Sequence, residues 1–170
     1  MCKRVLVTLD GSRTSQSVLK ELERLGPGVQ VTLVTVGGNP KATADTPHAA
    51  YTGGVPMPGG VVAVPAARTM ESRTQAYDRA RDQLTAYLEA CATGPRAVGQ
   101  EVDVVVRFGE PVEEILAVAR EKDVDVIMMA THGHSALAQV IFGSVASRVV
   151  GSGVRPVLLV RPKDLKGKAS

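Results

Sequence analysis

Residues 124–161 read VDVIMMATHGHSALAQVIFGSVASRVVGSGVRPVLLVR, and they decide the fold. Residues 124–129 are almost continuously apolar, the pattern of a strand buried on both faces. A glycine-bearing loop follows, then a helix opening at Gly143-Ser144, then a last strand at residues 157–161. Nine residues separate Gly133 from Gly143. The Ser144 hydroxyl is placed to cap the helix by accepting from orphan N–H groups of the first turn. A helix N-terminus carries free N–H groups and the positive end of the dipole, which favour an anion such as phosphate. The stretch therefore points to a nucleotide site.

Working outward, the same alternation recurs. Residues 4–9 (RVLVTL) form a β-branched run that reads as the first strand, broken by Asp10-Gly11-Ser12. Val18, Leu19, Leu22 and Leu25 recur at helical spacing until Gly26-Pro27-Gly28 stops them. Residues 29–36 (VQVTLVTV) are the second strand and 101–107 (EVDVVVR) the third. Between them lies a long amphipathic helix at 71–92, with Ala76, Ala80, Leu84, Leu88 and Cys91 on one stripe and Gly94-Pro95 beyond its end. Pro111 sits in the first turn of the next helix, whose Val112, Ile115, Leu116 and Ala119 face inward. The fourth strand covers 124–131. Strands alternating with helices predict an α/β fold, a parallel sheet with helices on both faces, and ligands at the carboxyl ends of its strands.

Residues 37–70 differ in character, with Gly53-Gly54, Gly59-Gly60 and five prolines, at 40, 47, 56, 58 and 65. A segment this long without evident structure reads as a mobile insertion over the rim of the site, or equally as a linker.

Bulk properties narrow the function classes. A chain of 170 residues fits one domain, here 1–163 followed by a basic tail at 164–170, and can bury a full core without staples. A net charge of +3 with 3% aromatics offers neither a basic stripe nor a stacking platform, so no nucleic-acid partner is expected. Cys2 and Cys91 have no metal or disulfide spacing. The N-terminal MCKRVLVTLDG has no apolar signal core and no run approaches a membrane span, which predicts a cytoplasmic protein without membrane contact.

Two motifs resemble the universal stress protein family. Its signature, Gly-x2-Gly-x9-Gly-(Ser/Thr), appears here as Ala130-Thr131-His132-Gly133, nine residues, then Gly143-Ser144, with alanine in place of the first glycine. Asp10-Gly11-Ser12 after the first strand and the closing RPVLLV at 155–160 match as well. The resemblance implies an adenine nucleotide alpha hydrolase-like fold with five parallel strands in the order 3-2-1-4-5. It also implies an adenine nucleotide ligand, ATP or else ADP or AMP, with Mg²⁺ arriving on the phosphates. Thr8, Leu9 and Val36 would then line the base and adenosine pocket. Asp10 would accept from the ribose or base, with an Asx turn as its alternative role. Met129 and Ala130 would lie near the ribose. Gly133 and Gly143 would admit the phosphates without a Cβ in the way, and Ser144 and the N–H of Val145 would donate to them. Family members pair through the last strand, so a homodimer across residues 156–161 is expected.

No catalytic residue and no protein metal site is expected. Thr131-His132-Gly133-His134 imitates a nucleotidyltransferase motif but follows the fourth strand rather than the first. Leu137 stands where a Gly-x-Ser-x-Gly nucleophile elbow needs glycine. His132 and His134 have no local carboxylate or cysteine to complete a metal site. The reading is a nucleotide-binding regulator of stress responses, with its protein partner unnamed. The alternatives are a homodimeric interaction or chaperone-like module that binds nucleotide weakly, and a slow ATP hydrolase.

Overall fold

A computed structural model describes residues 3–38, 54–57, 60–63, 70–131 and 143–161, with 54–57, 60–63 and 70–73 described by backbone alone. In chain order the elements are β1 (Arg4–Thr8), α1 (Arg13–Glu23), β2 (Gln30–Gly37), β3 (Gly54–Met57), β4 (Gly60–Ala63), α2 (Met70–Ala97), β5 (Glu101–Phe108), α3 (Pro111–Glu121), β6 (Val126–Ala130), α4 (Ser144–Gly151) and β7 (Val157–Val160). The main sheet has five strands in the order β5-β2-β1-β6-β7, and every pairing in it is parallel. Counted along the chain, that is the expected order 3-2-1-4-5.

The apolar runs are explained by two cores, one on each face. Val5, Val7, Val31, Leu33 and Met128 meet Val18 and Leu22 of α1 and Leu88 and Ala92 of α2. Leu6, Val34, Ile127 and Met129 point the other way, into Ile115, Val118 and Ala119 of α3 and Ala146 and Val149 of α4. Successive strand residues point to opposite faces. A strand covered by helices on both sides must therefore be apolar throughout.

Short-range signals set most of the ends. The Ser12 side chain accepts from the N–H of Ser15 at 3.0 Å and starts α1. The Glu110 carboxylate does the same for α3. Gly26 and Gly28 hold φ of +76° and +78°, a turn that L side chains resist.

Two expectations are corrected. Helix α2 does not stop before Gly94-Pro95 but runs through them to Ala97. Pro95 keeps a helical φ and lacks only the one N–H that would reach back a turn, near the helix end where the loss is smallest. Gly94 serves as a contact point, since a Cβ there would lie 2.2 Å from Glu23 Oε1 of α1. The segment 37–70 also holds regular structure. Strands β3 and β4 pair antiparallel, Gly54 opposite Ala63 and Met57 opposite Gly60. Residues 39–53, 58–59 and 64–69 of that segment, the tail at 164–170, and Cys2 lie outside the described residues.

The amino end of the sheet is held by charge. Asp125 accepts from the backbone N–H groups of Lys3 at 2.8 Å and Arg4 at 2.9 Å, and from the Arg4 guanidinium at 3.1 Å. The N–H of Lys3, then that of Arg4, hold this carboxyl down at about 2. Asp123 takes Arg4 at 2.7 Å and Arg155 at 2.6 Å. These contacts fasten β1 beside β6 and leave the opposite, carboxyl end open to a ligand.

Candidate functional site

Strand β1 lies between β2 and β6, and its outgoing helix α1 covers one face of the sheet while α4, leaving β6, covers the other. Helices α1 and α4 thus lie on opposite faces beyond the carboxyl ends of β1 and β6, and a crevice opens there. It encloses about 230 Å³.

The crevice gathers residues far apart in the chain. Thr8, Leu9 and Asp10 come from the end of β1, and Val36 from the end of β2. Met129 and Ala130 end β6, while Gly143, Ser144 and Val145 begin α4. Of the residues read from the sequence as site candidates, Gly133 lies outside the described residues, as do His132 and His134. Five lining residues were not among those candidates, namely Ser15, Val34, Pro111, Ile115 and Ala146. Ser15 follows from its cap contact to Ser12. Pro111 and Ile115 follow from α3 starting right after β5, which puts its first turn at the same edge of the sheet.

The crevice has an apolar half and a polar half. Leu9, Val34, Ile115, Met129 and Ala146 are all buried. On the polar side, Asp10 Oδ1 accepts from the N–H of Ser12 at 2.9 Å, and the Asp10 N–H donates to Ser15 Oγ at 3.3 Å. The Asx turn is thus realised, and the carboxylate stays exposed at the crevice.

The start of α4 departs from expectation. Gly143, not Ser144, is the N-cap, with φ −61° and ψ 158°, and among the described residues no side chain caps the helix. Glycine takes the extended cap conformation, so Ser144 becomes the first helical residue. Helices α1 and α3 have side-chain caps, whereas the first turn of α4 faces the crevice without one among the described residues. Its N–H groups and dipole end form the positive pole of the site.

Ala130, where the signature has glycine, packs its methyl with the core on the α1 side. The ring of nearby helices is tied by Glu110, whose Oε2 accepts from Val112 N at 2.8 Å and Glu113 N at 3.2 Å. Its Oε1 accepts from Arg148 of α4 at 2.6 Å. Burial alone would raise the Glu110 carboxyl, but the Glu113 N–H, the Arg148 guanidinium and the Val112 N–H together hold it below the ordinary value. Two other ionisable groups lie away from the crevice. Burial pushes Tyr87 up to about 12 and raises the Cys91 thiol beside it.

A family model, the universal stress protein family, matches residues 57–161. The chain is 28% identical to universal stress protein YxiE of Bacillus subtilis over 161 residues, 95% of this chain and 100% of that one. It is 37% identical to universal stress protein MJ0577 of Methanocaldococcus jannaschii over 67 residues, 39% of this chain and 41% of the relative, so that match spans less than half of MJ0577. The solved structure of MJ0577 superposes with a TM-score of 0.69 at 24% identity, covering 96% of this chain and 99% of the other. A family protein from Arabidopsis thaliana with AMP bound gives 0.61 at 12% identity, covering 98% and 96%. A universal stress protein in complex with cAMP gives 0.53 at 17%, covering 95% and 98%. At these identities the structural likeness speaks to the fold.

Proposed function

The chain belongs to the universal stress protein family, and from that premise we propose that its crevice binds an adenine nucleotide. The observation that carries the reading is the union of a buried apolar half with the uncapped start of α4 in one cavity. In this reading Leu9 and Val36 hold the adenine and Asp10 accepts from the ribose. Gly143, Ser144 and the N–H of Val145 receive the phosphate. Met129 and Ala130 back the ribose, and the Ala130 methyl, turned to the α1 side, leaves room for it. The AMP and cAMP bound by the two related proteins fit the same chemistry.

The protein would act in the cytoplasm as a nucleotide-responsive regulator in stress responses, one domain over 1–163 with the hairpin β3–β4 inserted. Among the described residues no helix is long and apolar enough to cross a membrane. No three His, Cys, Asp or Glu side chains among them converge to hold an ion. A Mg²⁺ accompanying ATP would be held by its phosphates.

Calorimetric titration of the nucleotide-stripped protein tests this. AMP, or ATP with Mg²⁺, is expected to bind with a micromolar Kd, about −8 kcal/mol. No heat at about 1 mM nucleotide would sink the proposal and leave the dimeric interaction module as the better account.

We also propose a homodimer through β7. This edge strand leaves Leu158 47% exposed, and an uncovered apolar edge invites pairing with a second copy. Light scattering is expected to give twice the chain mass of 17.8 kDa, and a single-chain mass would remove this claim.

A further inference from the structure

Among the described residues, the proposed phosphate end of the crevice is poor in positive charge. From Met129 to Ser147 the sequence contains no Lys or Arg, and Arg148 is the first. Among the described residues lining the crevice Asp10 alone is charged, and its charge is negative. Arg13, Arg107 and Arg148 do not line it, and Arg107 pairs with Glu121. The dipole end of α4 supplies about half a positive charge. A monophosphate brings about −2 and a free triphosphate roughly twice that.

Arg148 is the residue that would correct the imbalance. It lies one turn into α4, and helical side chains lean toward the N-terminus, so its guanidinium rises toward the first turn. There it is taken by Glu110 at 2.6 Å. Glu110 is itself fixed as the cap of α3 by the N–H groups of Val112 and Glu113. The carboxylate thus occupies the cation and adds its own negative charge near the crevice, since Pro111 next to it is a lining residue.

We infer that this site selects adenine nucleotides bearing a single phosphate group over free triphosphates, and that Glu110 sets the preference by holding Arg148. The inference rests on the adenine-nucleotide reading and adds the charge class of the ligand. Mg²⁺, by neutralising the triphosphate, would remove the discrimination.

The test is titration of the full chain with AMP and with ATP at pH 8, in low salt with a chelator present, for the wild type and Glu110→Gln. The wild type is expected to bind AMP at least tenfold more tightly than metal-free ATP. Glutamine keeps the size and a capping oxygen but not the charge. Glu110→Gln should narrow the ratio to under threefold, by a gain for ATP, and adding Arg148→Gln should restore it. Metal-free ATP binding as tightly as AMP in the wild type would overturn the selectivity. A ratio unmoved by Glu110→Gln would overturn the role of Glu110. Should that variant fail to fold, the wild-type ratio at 0.5 M NaCl decides, because screening must narrow it if charge is the cause. If neither nucleotide binds, the adenine-nucleotide reading falls and this inference with it, an outcome distinct from AMP binding without selectivity.

Discussion

Gly143→Val is expected to weaken AMP binding about 100-fold, close to 2.7 kcal/mol. Gly143 caps α4 with φ −61° and ψ 158°, an extended conformation that valine adopts readily, so the helix should still begin there. What changes is the space in front of the first-turn N–H groups. Two γ-methyls would stand at the crevice where the phosphate is proposed to lie and hold its oxygens out of hydrogen-bond range. Valine is a poorer cap than glycine by about 1 kcal/mol, which predicts a melting temperature lower by only about 2–4 °C. Affinity and stability should therefore separate. Calorimetry beside a thermal melt checks both, and an AMP Kd within threefold of wild type would move the phosphate away from α4.

Leu6→Ala is expected to do the reverse. Leu6 is fully buried on the central strand and shares a core with Val34, Ile115, Val118 and Ile127. Truncation removes three carbons from a site closed by neighbouring strands and by α3, leaving little freedom to collapse. The cost should be about 3–4 kcal/mol, or roughly 8–15 °C in melting temperature. Leu6 does not line the crevice, so AMP affinity should stay within about threefold at temperatures where the variant is folded. Urea unfolding measures the loss, and a value under about 1 kcal/mol would mean that the core repacks around the missing side chain.

The sequence carried the main sheet because its three central strands, β2, β1 and β6, are buried on both faces. Runs such as residues 5–7 and 126–129 have no polar face to confuse the period, and Gly26-Pro27-Gly28 marks a real turn. The strand order was not readable from those runs; it came from the resemblance and agrees with the structure. The hairpin β3–β4 was missed for a local reason. Its strands are four residues long, and Pro56 within one of them argues against a strand. Gly94-Pro95 misled in the opposite sense. Leu88 and Ala92, fully buried against the sheet, hold α2 in place across residues that would end an isolated helix.

At the site, the ends of β1 and β6 and the start of α4 were legible because strand ends and glycine turns are sequence-local. Val34, Ile115 and Ala146 were not, since they read as plain core until packing brings α3 beside α4. The Glu110–Arg148 pair lay equally out of reach. Nothing in the spacing of a cap residue on one helix and an arginine on another announces that they meet.

The parallel pairing of β1 with β6, Val5 opposite Val126, has a consequence for how the protein is made. Strand β1, at the centre of the sheet, is synthesised before the strands on either side of it, and one of these, β6, is encoded much later in the chain. Until β6 and α4 emerge, β1 has one side of its ladder open and its half of the crevice faces nothing. Such long-range closure is slow to form and leaves apolar strand edges exposed in the meantime. It also means that a chain ending before β6 lacks half of the crevice, so the proposed ligand would meet its site only once β6 and α4 are in place.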